Sequence, residues 1–342
     1  MRIALIGRND SLGLLSAMQA AIAASGDHTC TVVTLLAGPG ASEFCLQTYA
    51  GDFSDVDQAL RAADAIQFTG VHWARLWPFG PLRWGDYVDT ESAFVYVGGD
   101  PPLDHPRRVS GMIESGVPVC FANPLTAVNY PGAALVPVPL ADVSRCSRDL
   151  PDTKDRPVRI GCVDDGRPLR AGVPLLTRAV GVLRAGGLDV ELDRIAVDTW
   201  ENLIGRIAGC DIFFDRISPT GCPSFRSYAA WMLGVPSLAY SSTEYEEAAC
   251  AVLNCSALPV VHADPQTLEP QLRRLLLDEE ALAEAGEDSL SWARQYQTPE
   301  ATLGRYIDYC LSVSEVAEAV VDDGPGADVA VVAGQQGGTT WP

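Results

Sequence analysis

The segment from Cys210 to Tyr240 constrains the fold more than any other part of the chain. Ile212 to Phe214 form a short apolar run of the kind a parallel strand buried on both faces needs. Pro219, Gly221 and Pro223 stop that run before a helical pattern from Phe225 to Leu233. Gly234-Val235-Pro236 ends the helix, because glycine suits the cap and proline cannot continue it, and a second apolar run follows at Ser237 to Tyr240. Strand, polar loop, helix, turn and strand in this order make a unit of a parallel sheet. Its loop stands at a strand's carboxyl end, where open α/β sheets bind ligands.

The same alternation runs along most of the chain. Arg2 to Ile6 reads as a strand and Gly7 to Ser11 as a polar turn; Leu12, Leu15, Met18 or Gln19, and Ile22 then recur at helical spacing, with Asp10 or Ser11 as the cap. Further strands are expected at Cys30 to Leu36, Ala65 to Thr69, Phe94 to Gly98, Val117 to Ala122 and Ala134 to Val138, and helices near Val56 to Ala63 and Arg107 to Ser115. A polar stretch from Ala141 to Pro157 interrupts the pattern and reads as a hinge. Beyond it come strand Val158 to Val163, helix Val173 to Arg184, strand Val190 to Ile195 and helix Trp200 to Ile207. After the opening segment, Val260 to His262 is a last strand before helices at Leu268 to Leu277, Glu280 to Arg294 and Pro299 to about Val313. Pro299 suits a first-turn position.

Strands alternating with helices imply right-handed crossovers and parallel sheets. A chain of 342 residues exceeds the size at which one core keeps growing, so two domains are expected. The fold class is therefore α/β with two Rossmann-like domains: residues 1–142, a hinge at 143–157, and 158–313 with closing helices. Residues 314–342 carry no patterned apolar face and are expected to form a disordered tail.

The formal net charge of −20 argues against an extended nucleic-acid surface, since such binding rests on Lys and Arg neutralising phosphates. Lys154 is the one lysine, yet arginines can still cluster around a small anion. No apolar run reaches the roughly 18 residues of a spanning helix, and Met1 to Gly7 is too short for a secretory core. A cytoplasmic protein without an integral membrane segment is expected. The ten cysteines are scattered, with no Cys-x-x-Cys and no paired histidine spacing, and read as free thiols packed as small hydrophobes. No metal site is expected.

Asp211, Gly221, Met232 to Pro236 and Ser237 to Tyr240 together resemble the donor-sugar region of GT-B glycosyltransferases, of the group 1, family 4-like kind. The resemblance implies two Rossmann-like domains facing each other across a cleft. It also implies no cofactor beyond a nucleotide-diphosphate sugar, such as a UDP-sugar, as co-substrate. The retaining members carry one glutamate where this chain has Ala229 and another, eight positions earlier, where it has Gly221. Those carboxylates hold the donor's ribose and sugar hydroxyls in the family, so the departure leaves donor identity and transfer open.

The candidate chemistry lies on loops after strands. Gly7 and Arg8 open the turn after the first strand, where a helix N-terminus can hold an anion; a plain tight turn is the other reading. His72, between aromatic Trp73 and Trp77, suits a sugar or planar acceptor and can shuttle a proton, or else satisfies a backbone group. Asp100 follows Gly98-Gly99, which allow close backbone approach, and reads as a general base or as the Asp of a Gly-Asp-Pro turn. Arg167 and Arg170 resemble the paired cations that meet the donor diphosphate in the family, and otherwise bridge Asp164 and Asp165. Arg216, Thr220, Gly221 and Ser224 are candidate nucleotide contacts, Ser224 also reading as a helix N-cap.

These residues point to glycosyl transfer from a nucleotide-diphosphate donor to an acceptor the sequence does not identify. Arg167 and Arg170 would hold the diphosphate without a metal, and Asp100 would activate or orient the acceptor. A GT-B-derived binding or scaffold protein without transfer is the alternative, and an α/β nucleotide-sugar epimerase a third reading.

Overall fold

The computed structural model describes residues 1–7, 14–34, 44–45, 54–70, 78–79, 82–83, 93–97, 106–130, 132–141, 143, 156–163, 172–196, 199–218 and 221–322. The first unit contains β1 (Arg2–Gly7), α1 (Leu14–Ala24), β2 (Thr29–Thr34), β3 (Phe44–Cys45), α2 (Ser54–Arg61) and β4 (Ala65–Thr69). A short antiparallel hairpin of β5 (Pro78–Phe79) and β6 (Leu82–Arg83) stands apart from the main sheet. β7 (Ala93–Val97), α3 (Pro106–Glu114), β8 (Val119–Phe121), α4 (Pro124–Asn129) and β9 (Ala134–Leu135) complete the unit. Its sheet runs β3-β2-β1-β4-β7-β8-β9, with every neighbouring pair parallel.

The second unit contains β10 (Val158–Val163), α5 (Val173–Ala185), β11 (Val190–Ile195), α6 (Trp200–Ala208), β12 (Ile212–Arg216), α7 (Phe225–Met232), β13 (Ser237–Ala239), α8 (Thr243–Leu253), β14 (Val260–His262), α9 (Leu268–Leu277) and α10 (Glu279–Tyr296). Its sheet runs β11-β10-β12-β13-β14, again parallel throughout. α11 (Pro299–Asp322) closes the chain. These are the two Rossmann-like layers that the alternation implies.

Period-two alternation explains how each strand serves two cores. In β1, Ile3 and Leu5 join a cluster with Leu15 and Met18 of α1, while Ala4 and Ile6 join Val56 and Leu60 of α2. In β12, Ile212 and Phe214 pack with Leu176 of α5 and Leu272 of α9, and Phe213 packs toward Leu203 of α6 and Ala229 of α7. Both faces are covered, so the strands read as continuous apolar runs.

One buried cluster takes residues from both units, among them Leu15 and Met18 from the first and Leu203 and Ile207 from the second. α11 adds a second tie. Its Tyr306 hydroxyl donates to Gln67 Oε1 of β4 at 2.8 Å, and Gln67 Nε2 donates to Thr69 Oγ1 at 3.0 Å. Phe94 of β7 meets Tyr309 edge-on, with ring centroids 5.1 Å apart. The last helix thus returns to the first sheet.

Two expectations need correction. The helix starting at Pro299 does not end near Val313 but runs to Asp322, so the stretch 314–322 is helical rather than tail. α4 has no counterpart in the sequence reading, although its start is legible. Asn123 accepts from the Thr126 amide as N-cap, and proline follows at the first helical position. Of the hinge, most lies outside the described residues. At its end, Arg156 forms a two-pronged pair with Asp211, Nη1 to Oδ2 at 2.7 Å and Nη2 to Oδ1 at 2.8 Å, and the Arg159 amide also donates to Oδ2 at 2.7 Å.

Among the described residues, no helix is long and apolar enough to cross a membrane. Among the same residues, no group of three or more His, Cys, Asp or Glu could hold a metal ion.

Candidate functional site

In each sheet the strand order reverses beside the strand that begins the unit. β1 lies between β2 and β4, and β10 lies between β11 and β12. Such switch points open a crevice outside the carboxyl ends of the strands, because the connecting helices leave toward opposite faces there. Gly7 and Thr69 end the two strands at the first switch point; Val163 and Arg216 end those at the second.

Of the sequence candidates, Arg8, His72, Asp100, Arg167, Arg170 and Thr220 lie outside the described residues. Gly7 ends β1 in register with Thr34 of β2. The Thr34 hydroxyl is fully buried and has no hydrogen-bond partner among the described residues. At the second switch point, Gly172 caps α5 in the left-handed conformation, φ 77°, and no side chain caps the helix. A Cβ at Gly172 would lie 3.2 Å from Ile217 Cβ, so the start of α5 sits directly against the residue that follows β12.

Beyond β12 the chain is held by a residue that sequence reasoning did not single out. The pairing of β12 with β13 slips between Phe214 and Arg216, leaving Asp215 in a bulge. Bulges re-aim a side chain, and here the carboxylate turns to the start of α7. Asp215 Oδ1 accepts from Ser224 Oγ at 2.6 Å; Oδ2 accepts from the Ser224 amide at 2.5 Å and from Ser227 Oγ at 3.0 Å. Ser224 also accepts from the Arg226 amide at 3.2 Å, which makes it the N-cap of α7. Only the cap reading was visible in sequence.

Arg216 turns back onto the same loop. Its Nε donates to the Cys222 carbonyl at 2.8 Å, and Nη2 approaches Cys222 Sγ at 3.3 Å. Asn123 of the first unit donates from Nδ2 to that sulfur at 3.1 Å, so Cys222 is a meeting point of the two units. Past β13, Tyr240 stacks in a tilted contact with His262, centroids 5.5 Å apart, at neighbouring carboxyl ends.

No protein-family model matches the chain. No curated protein matches it either. Solved structures do. An alpha-glucosyltransferase in complex with UDP and a 13-mer DNA is similar at a TM-score of 0.61 and 10% identity, over 91% of this chain and 100% of that one. Anabaena HepE in complex with UDP and glucose is similar at 0.57 and 10% identity, over 95% of this chain and 100% of its own. A glycosyltransferase from Rickettsia africae gives 0.57 and 10% identity, over 91% and 98%.

The chain has the GT-B fold. In a GT-B frame, the positions at which the family resemblance puts two donor-site glutamates become interpretable. Gly221 has φ 57°, and a Cβ there would lie 2.6 Å from Ser242 Cβ and 2.9 Å from the Ser242 amide nitrogen. The Ser242 amide donates to the Gly221 carbonyl at 2.8 Å, which draws the two backbones together. Ala229 is fully buried in the cluster that spans both units. Gly221 has no room for a carboxylate without moving its surroundings, and one at position 229 would be buried among apolar side chains.

Gly221→Glu therefore does not restore a family contact. It is expected to destabilise the protein by about 1–3 kcal/mol, from left-handed strain and overpacking. Thermal melting with and without UDP checks this, and a variant that melts unchanged and binds UDP more tightly would contradict it.

Proposed function

We propose that this GT-B protein transfers a glycosyl group from a nucleoside-diphosphate sugar to an acceptor bound across the cleft. The observation that carries the reading is the second switch point. In sequence Arg167 and Arg170 fall between β10 and α5, and α5 starts against the end of β12 with no side-chain cap. Two guanidinium forks together with a helix N-terminus would suit a diphosphate and the charge that develops on a leaving nucleotide. UDP bound in two of the similar structures, one of them also holding glucose, supports the donor class.

The acceptor side falls to the first unit. β1, β4 and β7 are parallel neighbours, so the segments that follow them, bearing Arg8, His72 and Asp100, leave from one edge of the sheet. The DNA held by one similar structure does not transfer readily, because a chain of net charge −20 is poorly suited to tracking a phosphate backbone.

Arg170→Ala is expected to weaken nucleoside-diphosphate binding by about 10- to 150-fold, the equivalent of a charge-assisted contact of about 1.5–3 kcal/mol. Nucleoside binding should hardly change. Calorimetric titration with UDP and with uridine makes the comparison, and equal losses would remove the arginine from the diphosphate site. Hydrolysis or transfer of a bound sugar donor then separates a transferase from a protein that binds without transfer.

A further inference from the structure

α8 ends in an unusual pair. Asn254 takes the left-handed conformation, φ 53°, and its amide donates to the Cys250 carbonyl. The Cys255 amide donates to the same carbonyl at 3.1 Å. A cap of this type folds the chain back so that the side chain following the left-handed residue meets the one in the last turn, usually as an apolar contact. Here both partners are cysteines. Both are half-buried, pack against the cluster of Trp231 and Trp292, and are not joined in a disulfide.

We propose that Cys250 and Cys255 form a dithiol site that a small disulfide oxidant closes to an intramolecular disulfide. The backbone hydrogen bond of 3.1 Å runs between the two residues themselves and holds their main chains together, which favours closure. Burial, with the thiol hydrogen bond to Cys255 adding, pushes the Cys250 thiol up to about 12. Cys250 therefore stays protonated at neutral pH, and in the proposed step Cys255 attacks first.

The step balances with a disulfide R–S–S–R as the oxidant. The Cys255 sulfur attacks one sulfur of R–S–S–R, an S–S bond to the protein forms, and the first R–SH leaves with the Cys255 proton. The Cys250 sulfur then attacks the Cys255 sulfur and expels the second R–SH, which takes the Cys250 proton. The protein gives up two electrons and two protons, and the oxidant gains them. The second attack needs the Cys250 thiolate, so closure is expected to speed up as pH rises toward about 12.

The site lies at the opposite end of α8 from Ser242, whose amide seats Gly221. The same helix packs against α4 of the first unit. Closure therefore secures the far end of a helix that bears on the candidate donor loop.

The test uses the full folded chain with oxidised glutathione at mildly alkaline pH. Free thiols are then alkylated, the protein is denatured, and chymotrypsin cleaves after Leu253, which lies between the two cysteines. The peptides bearing Cys250 and Cys255 should be recovered joined, lighter by two hydrogens than the separate peptides, in the larger part of the chains. In Cys255→Ser the Cys250 peptide should be recovered unlinked. Separate alkylated peptides, a persistent glutathione adduct on either residue, or linkage of either to another cysteine would each overturn the proposal.

Discussion

Asp211→Ala should cost about 3–5 kcal/mol of stability, the usual effect of removing one partner from a buried ion pair. The side chains are 4% exposed for Asp211 and 17% for Arg156, so solvent cannot replace the lost carboxylate. Three donors lose their acceptor at once: both terminal nitrogens of Arg156 and the Arg159 amide. The pair also ties the end of the hinge to the second sheet, between β10 and β12. The readout is the urea midpoint, at unchanged slope, of the transition that reports on the second unit. A shift worth less than about 1 kcal/mol would mean that the pair is solvent-screened like a surface bridge. Arg156→Met combined with Asp211→Leu should recover much of the loss, because the cost is an uncompensated charge rather than a missing attraction.

Asp100→Asn should slow transfer by about 10²-fold or more, the scale of general-base catalysis, while donor affinity is kept. The motive is its place in the chain. Asp100 follows Gly98-Gly99 immediately after β7, whose carboxyl end lies beside that of β4. The donor's diphosphate is assigned to the other unit, so its binding should survive the substitution. Calorimetry with the donor, run beside the transfer rate with an acceptor found by screening, separates the two effects. An unchanged rate would make Asp100 an ordinary turn residue and move the search to His72.

Much of the second unit was legible because its central strands β10 and β12 are buried on both faces, while the edge strand β11 is bounded by buried Val190 and Ile195 and lies between two helical patterns. β10, β11 and α9 fall on the residues where apolar runs and helical spacing put them. A strand of two residues such as β3 carries too little pattern to read, since its pairing depends on a neighbour already in place, whereas β9 was read at its start, Ala134, but expected to run on to Val138. In the candidate site, Ser224 was readable as a cap, because capping is local. Asp215 was not, because its orientation comes from a register slip against β13, a strand more than twenty residues away in sequence.

The sequence by itself determined the α/β class, the parallel sheets and the loops after strands as the place for chemistry, because local periodicity and glycine or proline punctuation are enough for these. Only the tertiary structure decided which loops stand together. Strand order is settled by long-range pairing, and it put the ends of β10 and β12 side by side. It also decided the meaning of Gly221. In sequence this glycine is a missing carboxylate; in three dimensions its backbone lies so close to Ser242 that a side chain has no space. Contact between residues 221 and 242 depends on where the crossover through α7 returns the chain, which no local pattern encodes.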